Sequence, residues 1–308
     1  MLIVVTGARG AIGRHVVAAA KARGWRVAGL GHGLWAGEAD LSAIDDWLNG
    51  DVTFDNLDTL AAGNGLPDVI VHLAGGSHVG ASIERPAEDF RRTVVSAQNL
   101  VEWLRTRSPA TRLVVASSAA IYGNAGDAPI AEDAPYAPAS PYGTHKAMVE
   151  MLALAYGRQY GLNAAVVRLF SVYGPGLRKQ LVYELLQRLM RGERDITLGG
   201  SGQEARDFIF IADAACMLLD AAATAGSNVP LFNGATGNAV TTARLANAIA
   251  AGFEGAAIRF SGVGRKGDPA SLVGDIARST AAGLSAPTAL DAGLAVTRVW
   301  IERQAGAM

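Results

Sequence analysis

Short apolar, β-branched runs recur along this chain and alternate with longer stretches whose apolar positions repeat at helical spacing. Leu2–Thr6, Arg26–Leu30, Val69–Leu73, Leu113–Ala116 and Ala164–Leu169 read as strands. Residues 12–23, 87–106 and 142–160 read as helices between them. Asp51-Val52-Thr53, followed by Leu57 to Ala62, suggests a further short strand and helix. The alternation predicts an α/β fold, a Rossmann-type doubly wound parallel sheet with helices on both faces. Right-handed crossovers then bring the strand C-terminal ends to one edge, where ligands bind. Gly7, Gly75, Ser118 and Phe170 follow strand ends and converge on that edge.

Gly174-Pro175 is a loop signal and marks a change of domain. Residues 1–171 are expected to form a dinucleotide-binding domain, to which the chain returns at 207–225. Residues 172–206 and 226–308 are expected to form a smaller C-terminal substrate-binding lobe. Its first helix runs over 180–191, and Asp213 is a start signal for the helix of the return segment.

Composition narrows the classes. With 308 residues, 50% of them hydrophobic, the chain can bury a large core. A net charge of −1 argues against a nucleic-acid partner. Cys216 is the one cysteine, so no intrachain disulfide can form, and its apolar helical setting predicts buried packing. No apolar run reaches the roughly 18 residues of a membrane span, so no membrane partner is expected. The chain enters a strand without a signal-peptide n-region, which makes a cytoplasmic location the expectation. No metal site is expected.

The first strand runs into Gly7-Ala8-Arg9-Gly10-Ala11-Ile12-Gly13 and then a helix. Glycines there permit a tight turn and close backbone approach, so a pyrophosphate can sit on the helix N-terminus. Gly7, Arg9, Gly10, Ala11, Ile12 and Gly13 are therefore candidate cofactor contacts. Further on, Tyr142 and Lys146 stand four residues apart and share a helical face. A nearby ammonium favours the phenolate and draws the tyrosine toward the working pH range. Ser118 can hydrogen-bond the same substrate oxygen. Ser118, Tyr142 and Lys146 together suit removal of a proton from an alcohol as hydride leaves its carbon.

These motifs, in this order, resemble the extended short-chain dehydrogenase/reductases, the family of NAD-dependent nucleotide-sugar epimerases, dehydratases and reductases. The resemblance rests on Gly7 to Gly13, His72-Leu73-Ala74-Gly75, Ser117-Ser118 to Tyr122-Gly123, Ser140-Pro141-Tyr142 to Lys146, Arg168 to Pro175, Arg206-Asp207-Phe208-Ile209 and Gly267-Asp268-Pro269. It implies a nicotinamide cofactor and a nucleotide-diphosphate sugar as substrate. It places Leu73, Ala74 and Gly75 against the nicotinamide side, Asp51 toward the adenine, and Tyr142 and Lys146 on the nicotinamide ribose as well as in catalysis. It implies Arg206 and Arg265 at the substrate's nucleotide and diphosphate, with Asp207 and Asp268 as local acceptors, and a homodimer through helices 87–106 and 142–160.

Several departures from the family pattern carry information. NAD users usually end the second strand with an acid, and here Gly31-His32-Gly33 holds that place. Arg9 could instead face a 2′-phosphate, with His32 as a further donor, which favours NADP while leaving NAD open. In the family's dehydratases an Asp-Glu pair follows the Ser/Thr; here the matching residues are Ala119 and Ala120. Methyl groups transfer no protons, so dehydration, and the related decarboxylation, lose support. A C4-epimerase or an NADPH-dependent 4-ketoreductase remains. Thr93 and Ser171 stand where relatives often carry Asn. Ser171, His78 in its loop, and Lys179 and Gln180 at the lobe's first helix are candidate substrate contacts. His72 is read as a packed strand residue, His145 as structural or solvated, and His15 as a surface residue.

Overall fold

The computed structural model describes residues 1–33, 35, 44–263 and 269–306. Six parallel strands come first: β1 (Leu2–Thr6), β2 (Arg26–Gly31), β3 (Asp46–Asn49), β4 (Val69–His72), β5 (Arg112–Ser118) and β6 (Ala164–Leu169). The chain then leaves the sheet for β7 (Ser171–Tyr173), β8 (Asp195–Leu198), β9 (Ala205–Arg206) and β10 (Phe208–Phe210). It comes back with β11 (Leu231–Gly234), then adds β12 (Val240–Thr241), β13 (Ala257–Phe260) and β14 (Ser271–Leu272). The central sheet has seven strands in the order β11-β6-β5-β4-β1-β2-β3, every neighbour parallel. Strand order reverses between β1 and β4, and the crevice above that reversal is where such sheets take ligands. The expected doubly wound α/β fold is the one found.

Both faces of the sheet are covered, by α1 (Ala11–Ala22), α2 (Phe54–Asn64), and, after α3 (Val79–Glu84) and α4 (Pro86–Phe90), which pack on α6, by α5 (Ser96–Arg107) and α6 (Pro141–Tyr160), and, after α7 (Gln180–Met190), by α8 (Ile211–Ala221). The alternation of β1 shows why its sequence is apolar throughout. Ile3 and Val5 join the core under α1 and α8, while Val4 joins the opposite core under α5. A strand buried on both sides has no polar face to display. The lobe adds α9 (Thr242–Ala250), α10 (Ala277–Ala281) and α11 (Leu290–Gly306).

The structure departs from the pattern-based expectation at four places. The third strand lies at Asp46–Asn49, ahead of Asp51-Val52-Thr53, because Thr53 is the N-cap of α2 and accepts from Asn56 N at 3.3 Å. The helix expected over 87–106 is interrupted by a π-helical turn, Arg91–Val95. That turn places the Thr93 hydroxyl where it accepts from Gly76 N at 2.8 Å, and the Ser96 hydroxyl donates back to Arg92 O at 2.7 Å. Strand β11 lies in a stretch assigned by sequence to the lobe, yet it pairs along β6 and completes the central sheet. Cys216 is half-buried rather than buried.

Candidate functional site

The glycine turn has the shape of a pyrophosphate cradle. Gly7 has φ +70°, and a Cβ there would lie 2.9 Å from Ala74 N. A Cβ on Gly13 would lie 2.4 Å from Gly7 O, so α1 can pack this close to β1 only with glycine at that position. Gly10 caps α1 with no side chain bonded across its first amides, which leaves those donors facing the strand edge. The residues present therefore fit a dinucleotide phosphate group. Leu73 N and Ala74 N both donate to Thr6 Oγ1, at 3.3 Å each, which ties the end of β4 beside that turn.

At the other end of the crevice the fold brings Ser118, Tyr142 and Lys146 together. Ser140 caps α6 by accepting from Gly143 N at 3.2 Å, and Pro141 opens the helix. Gly143 lets α6 approach the turn after β5, since a Cβ there would lie 2.5 Å from Ala120 O. That close approach sets Tyr142 into hydrogen-bond contact with the Ser118 side chain. Lys146, almost fully buried, donates to Ala116 O at 2.9 Å and lies 6.0 Å from the centre of the Tyr142 ring. Burial pushes the Lys146 ammonium down to about 8, against the pull of Asp89 and Glu150. Tyr142 titrates above the ordinary tyrosine range because burial penalises its phenolate, and the Ser118 hydrogen bond works the other way. The expected lowering by Lys146 is thus not found; Ser118 supplies the lowering contact, while Asp89 adds to the rise.

The edge beside the glycine turn gathers Arg9, His32 and Asp51. Arg9 Nη1 donates to His32 O at 3.1 Å, and His32 Nε2 lies 2.9 Å from Asp51 Oδ1. Arg91, which sequence reasoning missed, reaches the other oxygen of Asp51 at 3.5 Å. Nothing in its local sequence marks it, because the contact spans forty positions of chain. A Cβ on Gly31 would lie 3.1 Å from the Trp47 ring, so this position at the end of β2 is shielded by an indole.

Other candidates fall variously. His78 caps α3 and is exposed, and Ser171 opens β7 half-buried. Lys179 caps α7 and its ammonium donates to Ser77 O, joining the lobe to the loop after β4. Burial lowers its pKa. Gln180 follows with φ +71°, an uncommon backbone state for a residue with a side chain. Arg206 is half-buried with Nη1 on Ala205 O at 2.8 Å. Arg265, Gly267 and Asp268 lie outside the described residues. Asp207 is fully buried and accepts from Thr236 N, Thr236 Oγ1 and Gly237 N within 2.8 Å, a structural role.

The histidines sort by contact. His72 is packed in β4 with Nδ1 2.8 Å from Thr6 Oγ1, and burial pushes it down to about 3. His145 is buried against Asp89, Nδ1 to Oδ2 2.6 Å. His15 is half-buried rather than on the surface, with Nε2 2.9 Å from Pro175 O, and burial lowers its pKa. Among the described residues no cluster of His, Cys, Asp and Glu could hold a metal ion, and no helix is long and apolar enough to cross a membrane.

Comparisons with known proteins place the chain in a family. A dTDP-glucose 4,6-dehydratase of Xanthomonas campestris is 32% identical over 226 residues, which span 68% of this chain and 64% of that one. The UDP-glucose 4-epimerase of Thermotoga maritima, solved with UDP-glucose, superposes with a TM-score of 0.90 at 25% identity, covering 99% of this chain and 100% of that one. The UDP-glucose 4-epimerase of Thermus thermophilus, solved with NAD, gives a TM-score of 0.86 at 26% identity, covering 98% and 99%. The model of the NAD dependent epimerase/dehydratase family matches residues 3–233, and the chain belongs to that family.

Proposed function

We propose that this chain is a nucleotide-sugar epimerase acting at sugar C4 through a transient 4-keto intermediate. The observation that carries the reading is the grouping of Ser118, Tyr142 and Lys146 at the end of the crevice away from the glycine cradle, with Ala119 and Ala120 where the dehydratases resembled carry acids. Bound NAD would take hydride from C4 and return it. Tyr142 takes the C4 hydroxyl proton, with Ser118 holding the same oxygen. Lys146 keeps a positive charge beside the Tyr142 phenolate that accepts this proton. Rotation of the ketosugar about its diphosphate linkage presents the other face, and Tyr142 gives the proton back. Arg206 and Arg265 anchor the nucleotide during that rotation, and His78, Ser171, Lys179 and Gln180 line the sugar's side.

A second reading, an NADPH-dependent 4-ketoreductase, is favoured by one feature. The edge beside the glycine turn has no acid at Gly31, and Arg9 is the group there suited to a 2′-phosphate, while His32 is held by the Asp51 carboxylate. Denaturing freshly purified protein and identifying the released nucleotide separates the two. Stoichiometric NAD(H) means a cofactor recycled within each turnover and supports epimerisation. An empty site that prefers NADPH supports the reductase. Incubation with UDP-glucose, UDP-N-acetylglucosamine, UDP-glucuronic acid and dTDP-glucose, followed by chromatography of the sugars, then identifies the substrate; release of a 4-keto-6-deoxy sugar would overturn both readings.

The protein acts as a homodimer in this proposal. Phe90, Val95, Met148 and Met151 form an exposed apolar strip along α4, the π turn and α6, and a second copy covers it.

A further inference from the structure

The strand that ends in Ser118 and the helix that carries Tyr142 and Lys146 meet at one buried carboxylate. Glu150 is fully buried on α6, one turn beyond Lys146 and two beyond Tyr142. Its Oε1 accepts from the Ser117 hydroxyl and from Arg168 Nε at 3.2 Å. Its Oε2 accepts from Arg168 Nη2 at 2.7 Å, Arg168 Nε at 3.1 Å and the Tyr136 hydroxyl at 2.8 Å. Ser117 immediately precedes Ser118 on β5, and Arg168 is its register partner on β6. Tyr136 belongs to the loop that leads into α6. Arg168 also donates to the Tyr122 hydroxyl at 2.8 Å and to Glu132 O at 2.6 Å. Burial pushes Tyr122 and Tyr136 up to about 12, so both stay protonated donors.

Stability alone does not account for this arrangement. Withdrawing two charges from water costs several kcal/mol per ion, and apolar replacements of similar shape are often as stable. What apolar contact lacks is direction. Hydrogen bonds weaken steeply when bent, so a carboxylate with its acceptor sites filled fixes where a helix sits along and about its axis. We propose that Glu150 is a positioning residue for the reaction: through Ser117 it sets the end of β5, and so Ser118, in register with Tyr142 and Lys146 on α6. The proposal rests on reading those three as the catalytic set.

Glu150→Gln would leave the Arg168 charge buried without its partner and would damage folding as well as geometry. Ser117 is the cleaner handle, since it touches Glu150 and lies outside the catalytic set. Ser117→Ala is expected to lower kcat about tenfold on the best sugar of the panel above, geometry being steeply coupled to rate. KM and cofactor affinity should stay within about twofold and Tm within a few degrees, because neither binding nor the core depends on that hydroxyl. Ser117→Thr, which restores the hydroxyl, should recover most of kcat. A Ser117→Ala enzyme with wild-type kcat, a loss carried by KM, or a loss that follows Tm and ignores Ser117→Thr would overturn the proposal. Tyr142→Phe measured alongside keeps the two readings apart. Its inactivity beside a fully active Ser117→Ala overturns the positioning role alone, whereas retained activity in Tyr142→Phe overturns the catalytic set and this role with it.

Discussion

Lys146 carries its proton only part of the way up the pH scale. Its pKa is lowered by burial to about 8, so its positive charge beside Tyr142 is present below pH 8 and lost above it. The turnover rate should therefore fall on the basic side from about pH 8. Lys146→Arg holds a cation to well above pH 10 and should remove that limb, at an overall rate about ten- to a hundredfold lower because the bond to Ala116 O is misplaced. A basic limb unchanged in Lys146→Arg would assign it to another group. His72 supplies a second pH dependence, in stability. Its folded pKa of about 3 lies below the 6.5 of the unfolded chain, so between those values the unfolded state binds more protons. Stability is intact above pH 6.5 and is lost as pH falls. From pH 6.5 to 5 the loss is about 2 kcal/mol at about 1.4 kcal/mol per unit. Urea unfolding at the two pH values measures it. His72→Asn, which keeps a hydrogen-bond partner for the Thr6 hydroxyl, should remove most of the slope. His15, lowered in the same sense, supplies the remainder.

At the scale of elements, the site depends on how closely α6 approaches β5. The sequence shows the cap, the proline and the Tyr-Lys spacing, because these are local features. It does not show that the glycine after Tyr142 lies against a carbonyl, since that carbonyl belongs to residue 120. Gly143→Ala should force the start of α6 away from Ala120 O and separate Tyr142 from Ser118. Turnover should fall by about a hundredfold, with about 1–3 kcal/mol of stability lost to the crowding. Kinetics and urea unfolding on the one variant check both, and wild-type turnover would mean the contact relaxes without moving Tyr142. The interrupted helix 87–106 follows the same logic. Its periodicity is helical throughout, and the π turn answers to Gly76 N, a partner seventeen residues upstream. Arg91 and Glu150 are illegible in the sequence for that reason: each is one more charged residue on a helix until the fold sets Asp51 or Arg168 opposite it.

At the scale of the whole molecule, period and turn chemistry were enough to place β1, β2, β4, β5 and β6 and their common edge, because those strands are buried on both sides and read as continuous apolar runs. The excursion into the lobe was less legible. Its strands are two to four residues long, and β11 carries Asn233, a polar residue buried by bonds to Tyr122, Glu132 and Ile130 rather than by apolar character. The outer apolar strip is a feature of the assembled fold too. Met148 and Met151 are 38% and 51% exposed on a helix whose other side is core, and Phe90 and Val95 extend the strip onto the neighbouring helix. A charge placed there leaves the monomer's core untouched but cannot be desolvated against a second copy. Met151→Glu should therefore lower the sedimenting mass from dimer to monomer at micromolar concentration while leaving the urea unfolding of the dissociated chain within about 0.5 kcal/mol of a wild-type monomer. Sedimentation equilibrium over a tenfold concentration range tests it. A monomeric wild type, or a Met151→Glu dimer of undiminished affinity, would remove the strip from the interface and leave the catalytic crevice of a single chain as the whole active unit.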